Sequence, residues 1–246
     1  MTLTPGAAET LQDSDATHML SERVYRSILR LVHRGQLKGG APLRIEELSR
    51  ILNVSPTPVR EGLARLAATG LVIHEPRKGF RVAPPLTGDQ FELLMDAREL
   101  LEVGASGLAL ATDRPDFVPA LRKALQIQEA AAKAFHDPVN GDTDPEEAEW
   151  AVIDADLAFH HVLFEFTGNP FIGVMADSLN GQSHRLRQQA DRGVSDALEA
   201  VAEHTAILRA AESGDRGAIE SAMRMHLRLV RARARHDLAA SREETT

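Results

Sequence analysis

The fold of the first part of the chain is decided by residues 53–66, which read NVSPTPVREGLARL. Ser55 and Thr57 are both good helix N-caps, because a hydroxyl can accept a hydrogen bond from a backbone N–H of the first turn. The two prolines of the segment also fit the first turn, where a missing N–H costs nothing. The segment therefore predicts a helix that begins at residues 55–57 and ends near Gly70.

Two shorter helices precede this one, and two strands follow it. Apolar residues recur on one helical face in residues 22–33 and again in 45–52. Residues 71–75 and 80–82 are β-like, and the basic turn 76–79 joins them as a hairpin. Three short helices followed by a small β-hairpin are typical of a winged helix-turn-helix domain.

Charge separates the chain into two parts. Residues 19–85 hold twelve basic and five acidic side chains, whereas residues 86–246 hold sixteen basic and twenty-eight acidic ones. A basic end on a chain of net charge −8 indicates a nucleic-acid-binding module joined to an acidic module. The third helix suits the major groove of duplex DNA, with its N-terminal side chains nearest the base edges.

Four basic side chains are candidates for DNA contact. Arg60 can offer a bidentate fork to guanine, although a salt bridge on a solvated helix is the alternative. Arg77 and Lys78, in the turn of the hairpin, can approach the phosphate backbone or the minor groove. Arg65 lies further along the third helix, and for it a DNA contact and an internal role are both open.

The remainder of the chain is helical in pattern. We divide the sequence into a disordered segment (1–18), a winged helix-turn-helix domain (19–83), a linker (84–89), an all-α second domain (90–236) and a tail (237–246). The predicted helices of the second domain occupy 90–111, 115–135, 146–166, 170–190, 195–213 and 215–236. The expected fold is mainly α: the winged domain joined to a bundle of six or seven helices.

Composition excludes several classes of protein. Cysteine is absent, so the chain has no disulfides and no thiolate metal site, and we expect a cytoplasmic protein. No apolar run approaches the roughly 20 residues of a membrane helix. The N-terminus lacks the basic start and the apolar core of a secretory signal.

Three histidines and one aspartate suggest a metal site. Asp156 and His160 are four residues apart and so share a helical face. His204 and His226 lie at similar distances on either side of the break at Gly214, so two antiparallel helices would bring them to one height. Three imidazoles and a carboxylate suit Zn²⁺, Ni²⁺, Mn²⁺ or Fe²⁺ better than Ca²⁺ or Mg²⁺. The alternative is that these are ordinary packed or surface histidines.

Two arginines in the second domain can bind a carboxylate group. Arg98 can hold a carboxylate with two hydrogen bonds, or it can pair with Glu102 four residues later. Arg185 is a second candidate for the same task. Glu203, next to His204, is a candidate for orienting a metal ligand through a hydrogen bond to the ring nitrogen that does not bind the metal.

The N-terminal pattern resembles the DNA-binding domain of the GntR family of transcriptional regulators. The resemblance covers residues 22–82 and rests on the string VSPTPVRE, with the apolar positions around it. It implies that Ser55, Thr57, Arg60 and the wing residue Gly79 lie at the DNA. Gly62 departs from the family pattern, because relatives usually carry Ala there and Gly costs up to about 1 kcal/mol of helix propensity.

The C-terminal pattern resembles the sensory domain of the FadR-like subgroup of that family. The motif positions are Asp156-x3-His160, Gly168-Asn169, Glu203-His204 and Met223-x2-His226. The resemblance implies an all-α domain that binds small carboxylates and holds a metal through Asp156, His160, His204 and His226.

The predicted function is a ligand-responsive transcriptional regulator, by default a repressor. It would bind a palindromic operator as a homodimer and sense a small carboxylate at the metal site. One alternative is a regulator that senses the metal ion itself. Another is a metal-dependent enzyme fused to a DNA-binding domain, but the chain has no HExxH motif, no Gly-rich phosphate loop and no nucleophile elbow, so we predict no enzymatic activity.

Overall fold

The computed structural model describes residues 19–32, 35–137, 144–187, 194 and 196–243, and within these ranges it describes all side chains except those of 180, 183–187 and 237–243. The described residues belong to two compact units. The first unit comprises the described residues up to Leu86 and residues 181–187, and the second comprises residues 87–180 and the described residues from 194 to 243. Within the described ranges, no helix combines the length and the apolar character needed to span a membrane.

The first unit contains three helices and a three-stranded sheet. The helices are α1 (19–32), α2 (Ile45–Leu52) and α3 (Pro56–Ala68). The strands are β1 (Pro42–Leu43), β2 (Val72–Glu75) and β3 (Gly79–Val82), in the order β1-β3-β2 with both pairs antiparallel. The winged helix-turn-helix fold is confirmed. The sequence did not predict β1, which pairs with β3 and turns the expected hairpin into a three-stranded sheet.

The turn between α2 and α3 follows from local backbone chemistry. Asn53, which caps the C-terminus of α2, has a φ of 51°, a left-handed conformation that Asn tolerates better than most residues. Ser55 is the N-cap of α3, but its side chain makes no capping hydrogen bond. Ser55 therefore occupies the expected N-cap position, but its exposed hydroxyl accepts no hydrogen bond from the first turn of α3 and is available to another partner.

The glycine within α3 is explained by close helix packing. A Cβ on Gly62 would lie 2.8 Å from Val24 Cγ1 and 3.2 Å from the backbone N of Tyr25, both on α1. Val59 and Leu63 are fully buried on the same side of α3. The absence of a side chain at residue 62 thus lets the two helices approach, which offsets the propensity that Gly loses.

The second unit is all-α in its described part. Its helices are α4 (Gly88–Ala111), α5 (Phe117–His136), α6 (Pro145–Glu165), α7 (Pro170–Arg187, of which residues 170–180 belong to this unit), α8 (Ala197–Glu212) and α9 (Arg216–Glu243). Thr87 and Gln90 form a capping box at the start of α4. The observed ends lie close to the predicted ones, except that α9 continues beyond the predicted end at residue 236.

The packing of the second unit brings five helices around one centre. Helix α5 packs against α6 and α8, α4 packs against α6 and α9, and α8 packs against α9. Gly214, with a φ of 71°, allows the tight reversal from α8 into α9. This reversal makes α8 and α9 the neighbours that the sequence predicted, and it places the middles of these two helices side by side.

Candidate metal centre and DNA interface

His160, His204 and His226 meet in the interior of the second unit. Each is buried, and one ring nitrogen of each lies within 4.8 Å of those of the other two. The ring centroids are 4.6 Å apart for His204 and His226, and 4.9 Å apart for His160 and His204. Phe159 stacks on His204 with 4.0 Å between centroids. Three helices, α6, α8 and α9, therefore supply three imidazoles to one point, as the spacing predicted.

Two of these imidazoles are braced at Nδ1 by carboxylates. His226 Nδ1 donates to Glu203 Oε2 at 2.7 Å, and Arg233 in turn holds Glu203 through a 2.6 Å hydrogen bond. His160 Nδ1 lies 2.7 Å from Glu102 Oε2, off the direction of a well-aligned hydrogen bond. A carboxylate at Nδ1 favours the tautomer that leaves Nε2 free, and this is the usual arrangement behind metal-bound histidine.

The third imidazole is braced by an amide. His204 Nδ1 lies 2.7 Å from Gln128 Oε1, and Gln128 Nε2 donates to Asp156 Oδ1 at 3.2 Å. Asp156 Oδ1 is 3.9 Å from His204 Nε2. The structure thus brings Asp156 to the edge of the three-histidine cluster, on the same helix as His160.

The cluster fits a divalent metal ion. The Nε2 atoms of His160 and His204 are buried and have no hydrogen-bond partner among the described residues. Burial, together with the neighbouring His226 and His160, lowers the pKa of His204 well below its usual value. Burial also lowers the pKa of His226, despite its hydrogen bond to Glu203. A metal ion binds neutral imidazoles through ring-nitrogen lone pairs that accept no hydrogen bond, like those of His160 and His204 at Nε2 in the described part of the chain.

Arg98 lies beside this cluster and is engaged with Glu102. Its Nε is 2.6 Å from Glu102 Oε1, and both side chains are nearly buried. Burial opposes the charge of Arg98, but Glu102 and, to a smaller extent, Asp156 raise the pKa of Arg98 above its usual value. The ion pair named as the alternative is therefore present, and it holds Arg98 next to the candidate metal ligands. Arg185 belongs to α7, but its side chain lies outside the described residues.

A groove between α8 and α9 reaches the edge of the cluster. Its volume is about 560 Å³, and His226 and Glu203 form part of its wall. The rest of the wall consists mainly of small or apolar side chains: Ala202, Ala206, Ala218, Ser221, Ala222, Met225 and Leu229. The groove offers space for a small organic molecule next to the His226 brace.

In the first unit, the start of α3 presents the predicted DNA-contacting residues to solvent. Ser55, Thr57 and Arg60 are exposed, while Val59 and Leu63 on the opposite face are buried. The helix is thereby anchored by its apolar face and leaves its N-terminal polar face open. This is the geometry of a recognition helix.

The tip of the wing is also exposed. Arg77 and Lys78 extend from the turn between β2 and β3, where Arg77 has a φ of 67° and Gly79 a φ of 84°. Lys78 pairs with Glu75 at 3.1 Å across the turn, an exposed contact of little energetic weight. Gly79 takes the left-handed backbone that favours glycine and ends the turn.

Arg65 is engaged inside the first unit. Its Nη2 is 2.7 Å from Glu22 Oε2, and its guanidinium lies 5.2 Å from the centre of the Tyr25 ring. Both partners belong to α1, so Arg65 links α3 to α1. Of the two roles left open by the sequence, the internal one is the role that the contacts support.

Sequence reasoning missed two polar residues behind the candidate ligands. Gln128 lies on the buried face of α5 with Leu121, Leu125 and Ala132. A lone amide at a core position of an amphipathic helix was the available signal, because a buried polar group needs a partner. Arg233, two turns after His226 on α9, gave no comparable signal, since it is one of several arginines in the same stretch of the helix.

Comparisons with known proteins agree with this architecture. Residues 20–82 match the family described as bacterial regulatory proteins, gntR family, and residues 93–229 match the FCD domain. An uncharacterized HTH-type transcriptional regulator of Streptomyces ambofaciens is 33% identical over 211 residues, which cover 84% of this chain and 81% of that protein. The HTH-type transcriptional repressor RspR of Escherichia coli is 24% identical, over 86% of this chain and 87% of its own.

A solved structure shows the same fold. Escherichia coli McbR/YncC superposes with a TM-score of 0.69 at 21% identity, covering 88% of this chain and 97% of the other. The two family matches and the Streptomyces ambofaciens relative assign both domains to transcriptional regulators rather than to enzymes. The chain belongs to the GntR family of bacterial transcriptional regulators and carries an FCD effector-binding domain after its helix-turn-helix domain.

Proposed function

We propose that the protein is a repressor that binds a palindromic operator as a homodimer and releases it when a small carboxylate binds at a metal in the FCD domain. The observation that carries this proposal is the buried three-histidine cluster, in which the Nε2 atoms of His160 and His204 have no hydrogen-bond partner among the described residues. Two relatives, RspR of Escherichia coli and NanR of Klebsiella aerogenes, are named transcriptional repressors. We place the protein in the cytoplasm.

The proposed metal ligands are Asp156, His160, His204 and His226. Three imidazoles favour a transition metal such as Zn²⁺, Ni²⁺, Mn²⁺ or Fe²⁺ over Ca²⁺ or Mg²⁺. Such an ion, when bound, supplies open coordination positions for a carboxylate oxygen. In this proposal Asp156 completes the set from the edge of the cluster, where its Oδ1 is 3.9 Å from His204 Nε2.

Arg98 is the proposed second anchor of the effector. A guanidinium has five N–H donors, and the ion pair with Glu102 engages Nε. Glu102 fixes the side chain in place, so the remaining donors are presented without further loss of side-chain freedom. Arg185 is a further candidate anchor. The groove beside His226 would take the less polar part of the molecule.

The proposed DNA contacts are Ser55, Thr57 and Arg60 on α3, with Arg77, Lys78 and Gly79 on the wing. Two copies of the winged domain would read two half-sites related by two-fold symmetry, so the operator would be palindromic. Effector binding would weaken this complex to the extent that the effector prefers the DNA-free arrangement of the dimer.

The test begins with a selection of bound duplexes from a random pool, followed by titration of the selected site at fixed salt. Arg60→Ala should cost about 1–3 kcal/mol in binding and relax sequence preference. Arg122→Ala is the matched control, because it removes the same charge from an exposed pair in the FCD domain. Equal binding by Arg60→Ala and the native protein would show that α3 is not the recognition helix.

The same titration separates the two candidate effectors. The burial of all three histidines also suits a regulator that responds to the ion alone. If operator affinity follows metal concentration without any organic acid, the ion is the effector. If the metal-loaded protein changes its affinity only when a carboxylate is added, the carboxylate is the effector.

A further inference from the structure

The three imidazoles of the cluster are not braced alike. His226 and His160 each have a carboxylate at Nδ1, and each of these carboxylates is held by an arginine. His204, the most deeply buried of the three, instead faces the amide of Gln128. The difference needs a reason, because a carboxylate is the stronger acceptor for an imidazole N–H.

The amide of Gln128 can donate a hydrogen bond to one neighbour and accept a hydrogen bond from the other. The carboxylate of Asp156 only accepts hydrogen bonds, so Gln128 must turn its NH₂ group towards Asp156 Oδ1. Its carbonyl oxygen then faces His204 Nδ1 at 2.7 Å, and a carbonyl oxygen can only accept. His204 is therefore protonated at Nδ1, and its Nε2 lone pair is left open towards the cluster.

We infer that Gln128 is a positioning residue that orients two metal ligands at once, fixing the tautomer of His204 and the carboxylate of Asp156 with a single amide. The inference rests on the metal site proposed above. It assigns to α5, which contributes no proposed ligand, the task of aligning a ligand on α6 with a ligand on α8.

The surroundings of Gln128 exclude the obvious replacements. A glutamate at this position would place two carboxylates together, because Asp156 Oδ1 is only 3.2 Å from the Gln128 nitrogen. Burying a second negative charge there is costly. A methionine has a similar length but cannot hydrogen-bond to either neighbour, so it would leave the buried Nδ1–H of His204 without this acceptor and would remove the Gln128 hydrogen bond from Asp156.

The experiment compares metal binding by the full-length native protein, Gln128→Met, Gln128→Glu and Gln126→Met. Gln126 lies on the exposed side of the same helix and provides the matched control. Each protein is stripped of metal and titrated with Zn²⁺ and Co²⁺ against a chelator of known affinity. The visible spectrum of the Co²⁺ form reports the ligand geometry, which a purely structural role would not alter.

The expected result is a loss of about 10- to 100-fold in metal affinity for both Gln128 variants. Their Co²⁺ spectra should change, while Gln126→Met should match the native protein in both measurements. Urea unfolding followed by the fluorescence of Trp150, the single tryptophan, selects conditions in which each variant is folded. Should Gln128→Met lose its fold, Gln128→Glu carries the test.

Two results would have different meanings. If the native protein binds Zn²⁺ and Co²⁺ but both Gln128 variants bind them equally well with unchanged spectra, the positioning role is refuted and the metal site stands. If the native protein binds neither ion, the proposed metal site is itself wrong, and this inference fails with it.

Discussion

The ion pair between Arg98 and Glu102 should be a large contributor to the stability of the FCD domain. The two side chains are 12% and 5% exposed, and Arg98 Nε is 2.6 Å from Glu102 Oε1. Removing one partner strands the other in the interior, and breaking a buried pair in this way costs about 3–5 kcal/mol. We therefore expect a loss of this size for Arg98→Met and for Glu102→Leu.

The proton equilibrium of Glu102 gives a second measure of the same interaction. Burial alone would raise the pKa of Glu102, but the charge of Arg98 outweighs burial, with a contribution from the neighbouring His160, and lowers this pKa from 4.5 to about 2. At about 1.4 kcal/mol per unit, this shift corresponds to about 3 kcal/mol of stability. Because the folded-state pKa is depressed, the contribution is complete above pH 4.5 and is lost as the pH falls towards 2.

The assay is urea unfolding of the metal-free full chain at pH 7, followed by the fluorescence of Trp150, which is buried in α6 of the FCD domain. The double variant Arg98→Met/Glu102→Leu removes both charges and should lose much less than the sum of the two single losses. Arg216→Met is the matched control, because Arg216 has the same spacing to Glu220 but is 61% exposed. Its expected effect is below about 0.5 kcal/mol. If the two single losses of unfolding free energy add up in the double variant, or if each is as small as that of Arg216→Met, the buried ion pair is not a large contributor to stability.

Three further changes have definite expected outcomes. Gly62→Ala should destabilise the DNA-binding domain by about 1 kcal/mol, although alanine has the better helix propensity, because the new Cβ would lie 2.8 Å from Val24 Cγ1. Hydrogen exchange should then show faster amide exchange in peptides of α1 and α3. Unchanged exchange rates would contradict this prediction. Arg233→Met removes the hydrogen bond that holds Glu203 in place beside His226 Nδ1 and should weaken Zn²⁺ binding by about 10-fold in a chelator competition. An affinity equal to that of the native protein would show that Arg233 does not help to orient His226. A strong chelator should lower the melting temperature of the metal-loaded native protein but leave that of His204→Ala unchanged, and an equal drop in both would place the metal elsewhere.

Helix periodicity predicted the convergence of the histidines, because it depends on quantities that are regular along the chain. His204 and His226 lie at similar distances from Gly214, and the rise per residue of a helix is constant. Antiparallel packing across a tight turn then brings the two residues together, and the structure shows their rings 4.6 Å apart. The four-residue spacing of Asp156 and His160 places both residues on one face of α6, where Asp156 Oδ1 lies 3.9 Å from His204 Nε2; its role as a ligand stays a prediction.

Contacts between helices distant in sequence were the part that could not be predicted. Gln128 meets His204 across 76 residues, and the choice of α5 as the neighbour of α8 depends on packing, which no local pattern encodes. Strand β1 was missed because Pro42 and Leu43 are too few to show alternation, and only β3 makes them a strand. Arg65 was left undecided for a related reason, since its partners Glu22 and Tyr25 lie on α1.

The most direct test of the account is a thermal-shift screen of the purified protein against small carboxylic acids, with the metal-loaded and the metal-stripped forms side by side and Trp150 fluorescence as the readout. A ligand at 100 times its Kd adds about 2.7 kcal/mol, which is about 5–10 °C for a protein of this size. We predict at least one acid that stabilises the metal-loaded form to this extent and has no effect on the stripped form or on His204→Ala. A stabilising acid whose effect survives both chelation and His204→Ala would contradict the metal-anchored sensor, as would the absence of any stabilising acid alongside a large shift from the metal alone.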